Sequence, residues 1–127
     1  DYTIDKDKAK QQITSFGYYE ESTITGMQGR IWIDRETFRV LRLESSATEI
    51  PENFPVRSAK RVIDYNWVVI SGENYLLPSQ SDVRLTSRHQ GKIYETRNVI
   101  RFKDYQKFGT DVIILDDDTA PIEEEKP

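Results

Sequence analysis

Cysteine is absent, so neither a disulfide framework nor a thiolate metal site can hold this chain together. Histidine occurs once, as His89, with no cysteine or second histidine beside it, so zinc ligation and a Ser-His-Asp relay both lack their parts. Its setting, His89-Gln90-Gly91-Lys92, reads as a solvated turn. The six glycines are scattered and none forms G-x-G-x-x-G or a Walker pattern, which leaves nucleotide chemistry unsupported; no cofactor and no metal is expected. Apolar runs are short, the longest being Trp67 to Ile70 and Val112 to Leu115, far below the roughly 20 residues a membrane helix needs. Helical spacing is nearly missing as well.

What is present favours sheet. Of 127 residues, 36% are hydrophobic and 31% charged, yet 11% are aromatic and β-branched residues abound, a mixture suited to strands in a single domain. The net charge of −4 is concentrated at one end: Asp116 to Pro127 carries −5, which leaves residues 1–115 at +1. A nearly neutral body lacks the field expected of a nucleic-acid binder. The expected organisation is a β domain over 1–115, followed by an acidic tail or linker over 116–127 that is too poor in apolar residues to offset its ordering entropy. Asp1 falls at the start of a strand, which fits a mature segment whose targeting sequence has been removed.

Period-two alternation marks Val40 to Glu44, Ser81 to Arg88 and Ile93 to Lys103 as strands with one buried face. Gly29 to Thr48 reads as a hairpin turning over Asp34 to Thr37, with Ile31, Ile33, Leu41 and Leu43 on one face and a type I turn in the connection. Pro51 and Pro55 make Ile50 to Pro55 a loop. Lys60 to Ile70 is the next strand, with Ile63, Tyr65, Trp67 and Val69 on one side. Ser71 to Asn74 then turns the chain into Tyr75 to Leu77, where Pro78 predicts an edge or a break. A last strand is expected over Thr110 to Leu115. Near the start, Tyr2 to Asp5 is expected to pair with Ile13 to Phe16 around Lys6 to Gln12, with one helical turn over that Lys, Ala and Gln run as the alternative, and Tyr18 to Gln28 to be loop. The fold expected is therefore all-β: a strongly curved antiparallel sheet, half-barrel or open barrel-like, of about seven to nine strands.

Two constellations invite functional readings. Asp34, Asp64 and Glu44 could supply paired carboxylates, but Asp34 is explained by its turn, and Asp64 is better matched with a cross-strand cation such as Arg42. Arg84, Arg88, Arg97 and Arg101 collect near Tyr94 and Tyr105, yet Asp82, Glu95 and Asp104 interleave with them, so a face of cross-strand ion pairs is expected rather than nucleic-acid binding. The aromatic set is larger than one small core consumes. Trp32, Phe38 and Val40, with Val62, Val68 and Ile70, alternate against the main apolar positions, so the sheet reads as apolar on both faces. These six residues are the expected ligand-binding positions. No amphipathic helix is available to cover them, so either the sheet curls or something outside covers it.

The run Gly29-Arg-Ile-Trp-Ile-Asp34, followed by Arg39-Val-Leu-Arg-Leu-Glu44, Val62-Ile-Asp-Tyr65, Tyr75-Leu-Leu-Pro78 and Asn98-Val-Ile-Arg-Phe-Lys-Asp-Tyr105, resembles the later strands of bacterial outer-membrane lipoprotein-sorting (carrier-like) proteins, most of all their uncharacterised envelope relatives. The resemblance spans residues 29–108 and lacks that family's lid helices and earlier strands. It implies a curved half-barrel around an apolar cavity, a place in the periplasm or cell envelope, and a lipid-like ligand. Together these readings lead to a non-enzymatic domain whose concave apolar face meets a lipid-like ligand or a neighbouring domain, with a structural homodimerisation module as the alternative.

Overall fold

The computed structural model describes residues 1–17 and 19–108. In chain order the elements are β1 (Tyr2–Ile4), α1 (Lys6–Ala9), β2 (Gln11–Phe16), β3 (Glu20–Ile33), β4 (Val40–Thr48), β5 (Val56–Ile70), β6 (Glu73–His89) and β7 (Lys92–Arg101). All strand pairs are antiparallel, and they form one open sheet in the order β1-β3-β4-β5-β6-β7, with β2 also on β3. The domain is thus all-β, seven-stranded and not closed into a barrel. No helix among the described residues is long and apolar enough to cross a membrane.

Turn chemistry sets the hairpins. Asp34 Oδ1 accepts the backbone N–H groups of Glu36 (2.8 Å) and Thr37 (3.3 Å), while the Phe38 N–H donates to the Asp34 carbonyl (2.9 Å), so one aspartate shapes the β3–β4 connection. Those two amides also hold the Asp34 carboxyl below the ordinary carboxylate range. Ser71-Gly72 and Gln90-Gly91 have positive φ at both positions, the signature of two-residue type I′ turns that match strand twist.

The N-terminal expectation is corrected. Tyr2–Ile4 does not pair with Ile13–Phe16; both pair with β3, at Met27–Gly29 and Glu20–Thr25 respectively, with α1 between them. Most of the stretch expected to be loop, Tyr18 to Gln28, is therefore strand. Gly26 marks the place where β3 passes from β2 to β1 and β4. A Cβ there would stand 2.5 Å from Thr48 Oγ1 and 2.9 Å from the Ile4 carbonyl, so only glycine lets three strands converge. Pro78 does not end β6, but it falls, as expected, on a stretch with a strand on one side only, since β7 pairs with β6 from Gln80 to His89. A register shift beside it leaves Ser79 as the extra residue, the Ser79 hydroxyl donates to the Asp64 carbonyl (3.0 Å), and the Tyr105 hydroxyl donates to the Pro78 carbonyl (2.6 Å). The expected strand Thr110 to Leu115 and the acidic tail lie outside the described residues.

The core sits at one end. Ile13, Phe54 and Val56, the last 2% exposed, form a cluster against which Ala47, Ile50, Ala59 and Leu85 pack. Ile13 belongs to β2, so the β2–β3 hairpin turns back across the sheet and caps that end of one face. Phe54 reaches it from the proline loop, where its N–H donates to the Pro51 carbonyl (3.0 Å) and the Arg57 guanidinium donates to the Pro51 and Glu52 carbonyls.

Candidate functional site: an open apolar face

Residues directly opposite each other in an antiparallel ladder share a face. The register therefore draws one row across five strands, Ile31, Leu43, Ile63, Ser81 and Ile100. Along β5, alternation adds Tyr65, Trp67 and Val69 to the same side, paired with Pro78, Leu76 and Asn74 of β6. This is the face that β2 caps, but the cap stops at the end near Val56. Toward the β5–β6 turn the face is open: Trp67 is 49% exposed, Val69 67% and Ile33 55%, and Ile31, Leu41 and Ile100 are exposed as well. The Arg39 guanidinium stands 5.8 Å from the centre of the Trp67 ring, within cation–π range.

The opposite face is polar. Its rows run Trp32, Arg42, Asp64, Gln80 and Arg101, then Arg30, Glu44, Val62, Asp82 and Val99, then Gln28, Ser46, Lys60, Arg84 and Arg97. Arg42 bonds both Glu44 (2.9 Å) and Asp64 (3.2 Å), so the expected Asp64–Arg42 partnership forms across the strands. The bond to Glu44, with the charge of Asp64 behind it, raises the Arg42 pKa further above its ordinary value. Asp82 is held by Arg97 at 2.7 Å, with Arg84 at 3.7 Å; chiefly the Arg97 hydrogen bond keeps its carboxyl below the usual range. Asp64 and Glu44 thus converge on one guanidinium over a flat face, each answered by the same cation.

The six expected ligand positions are not brought together. Trp32 lies between guanidiniums on the polar face, its ring centre 5.7 Å from Arg30 and 5.5 Å from Arg42. Val62 is half-buried between Glu44 and Asp82. Val68 and Ile70 share its side of the sheet and pair with Tyr75 and Glu73 near the β5–β6 turn. Phe38 is 81% exposed in the β3–β4 turn at φ 56°, a backbone region unfavourable for a bulky side chain. Val40 pairs with Ile33 across a bulge, beside the open apolar face.

The alternation that puts Ile63, Tyr65 and Trp67 on the apolar face puts the solvent-exposed Arg61 there too, opposite Ser45 and Val83. Arg61 and Lys60 both border a cleft of about 250 Å³ between β2 and the sheet, with Gln11, Ile13, Ser45, Val83 and Leu85.

No protein-family model, curated protein or solved structure matches this chain.

Proposed function

We propose that this chain is a non-enzymatic β domain of the bacterial envelope whose open apolar face receives a lipid-like ligand or the apolar surface of a neighbouring domain. One observation carries the reading: Ile31, Ile33, Trp67, Val69 and Ile100 stand exposed on a single face whose other end is already roofed by β2. Scattered exposed apolar residues are ordinary, but a set joined by strand register on one half-covered face is a binding surface in want of a cover. The resemblance of residues 29–108 to the lipoprotein-sorting family supports both the compartment and the lipid-like ligand.

A hydrophobic dye such as anilinonaphthalene sulfonate should fluoresce with the native protein, and Trp67→Glu or Ile31→Glu should lower that signal while leaving the far-ultraviolet circular dichroism unchanged. Folded variants with undiminished dye fluorescence would remove the proposal.

The second reading is a dimerisation module, favoured by β7. All ten of its residues are exposed, and it pairs with β6 alone among the described strands, which leaves a long edge able to accept another strand. A concentration-dependent dimer in sedimentation that is lost on placing proline at Val99 would support this reading over the first.

A further inference from the structure

The two ends of the sheet are finished differently. At one end the last strand is β1, three residues long, the kind of short edge by which natural sheets discourage further pairing. At the other end β7 runs ten residues in unbroken register with β6, and it contains no proline, glycine or bulge. Within the described residues the chain does not return to cover that edge. After Arg101 it continues beside the first half of β6, where the Phe102 N–H donates to the Ser79 carbonyl (2.9 Å), the Tyr105 hydroxyl donates to the Pro78 carbonyl (2.6 Å) and the Lys107 ammonium reaches Glu73 (3.8 Å).

The β6–β7 turn fixes which backbone groups of β7 face outward. A two-residue type I′ turn at Gln90-Gly91 closes on a hydrogen-bonded His89–Lys92 pair, and the bond from Phe102 to Ser79 keeps the same parity at the far end. Tyr94, Thr96, Asn98 and Ile100 therefore turn their N–H and C=O groups to β6, while Ile93, Glu95, Arg97 and Val99 turn theirs to the open edge. An added antiparallel strand must set its own outward residues opposite these four. A second copy of β7 can do so about a two-fold axis through one of its residues. Centred on Glu95 or Arg97, the axis would put like charges opposite each other; centred on Tyr94 or Asn98, it would leave part of the strand unpaired. Centred on Thr96, it sets Glu95 opposite Arg97 of the second copy and Ile93 opposite its Val99, each pair occurring twice, and it uses the strand from Lys92 to Ile100.

We propose that β7 is the pairing edge for a second copy of this chain, joined antiparallel and two-fold symmetric about Thr96, with Glu95–Arg97 pairs on the polar face beside Ile93–Val99 contacts. Ile93 is 67% exposed and Val99 37% exposed in the single chain, so the added ladder covers apolar surface as well as satisfying edge amides. Arg97 is already held on that face by Asp82 at 2.7 Å, which places its guanidinium for the incoming Glu95. Thr96 pairs with Leu85 on the apolar side, so in the dimer the two open apolar faces come to the same side of one continuous sheet. The inference rests on the second reading above, the free β7 edge, and adds the partner and its register; it is independent of what covers the apolar face.

The chain has no cysteine, so a single introduced thiol reports the register. In the Thr96-centred ladder the two Thr96 residues form a non-hydrogen-bonded pair with Cα atoms about 4.5 Å apart, within disulfide reach. The two Asn98 residues stand roughly 14 Å apart, outside it. Whole-chain Thr96→Cys and Asn98→Cys proteins are oxidised with glutathione at a concentration where sedimentation shows the wild-type dimer and read on non-reducing gels, with melts of the reduced proteins to show that each is folded. Thr96→Cys should give a covalent dimer and Asn98→Cys should not. Glu95→Arg should weaken association about tenfold in sedimentation, because two pairs turn from attraction to repulsion. Glu36→Arg, the same change of charge in the exposed β3–β4 turn, should leave association unchanged. If folded wild type sediments as a monomer at every concentration, the second reading and this inference both fall. If a dimer forms but Asn98→Cys crosslinks in place of Thr96→Cys, or Glu95→Arg associates as tightly as Glu36→Arg, the register is overturned while the dimerisation reading stands.

Discussion

Ile13→Ala examines whether the β2 cap holds this sheet. Ile13 is 7% exposed and packs with Phe54 and Val56, so the truncation removes three buried carbons, about 2.4 kcal/mol at ~0.8 kcal/mol per group. Incomplete collapse of the space left behind adds to this, and a total of about 3 kcal/mol falls within the ~2–5 kcal/mol range for such truncations. Against a global stability of roughly 5–15 kcal/mol, that is a large share. With a urea slope near ~1.5 kcal/mol per molar, the unfolding midpoint should drop by about 2 M at unchanged slope. Val69→Ala, which trims a side chain 67% exposed, is the control and should move the midpoint by less than about 0.3 M. The uncapped variant should also bind more hydrophobic dye, because the covered end of the face would then resemble the open one. Equal midpoints for Ile13→Ala and Val69→Ala would refute the placement of the core under β2.

Asp82→Asn should lower the melting temperature at pH 7 by removing the Arg97 and Arg84 partnerships. Because Asp82 has a depressed carboxyl pKa in the fold, its contribution is present above the unfolded value near ~4 and is lost as pH falls through the folded value, so the melts of variant and wild type should converge near pH 2. Arg42→Met should cost less than about 1 kcal/mol in urea unfolding, and the difference should shrink further in strong salt, since its ion pairs with Glu44 and Asp64 are solvent-exposed. Gly29→Ala should destabilise by about 1–3 kcal/mol in the same assay, because its Cβ would run into the Glu44 backbone that also accepts the Tyr2 hydroxyl. Phe38→Asn should raise stability by about 1 kcal/mol, since asparagine tolerates the left-handed φ that phenylalanine resists and the lost ring is almost wholly exposed.

The legible part of the fold was the part written in period two. Ile31 with Leu43 and Ile63 with Trp67 alternate cleanly, so β4, β5, β7, the downstream half of β6 and their shared apolar face could be read directly, and Asp34 announced its own turn. The first half of β3 could not. Glu20-Glu-Ser-Thr-Ile-Thr is polar on both sides because it is a short stretch beside β2, where backbone pairing rather than burial fixes its state. Pro78 was legible as an edge or a break: it sits beside a register shift, on the stretch of β6 that β7 does not cover. On the site, the inference that both faces are oily gave too much weight to Trp32 and Val62. Each sits one strand from a charged pair, Arg42–Asp64 or Glu44–Arg42, and which partners lie opposite is a matter of register that local sequence does not carry.

Register also decides where a cover must go. The polar face is complete as it stands, since its carboxylates Glu44, Asp64 and Asp82 each meet a guanidinium and its indole Trp32 stands between two more. A partner laid there would have to strip water from those charges and would gain little apolar contact in return. The other face is divided. Its Val56 end is dry and roofed, its Trp67 end is wet and apolar, and Arg61 stands at the boundary between them. A cover laid on the Trp67 end would meet Ile31, Trp67 and Val69 without stripping water from an ion pair, so that is where burial gains most against the least desolvation.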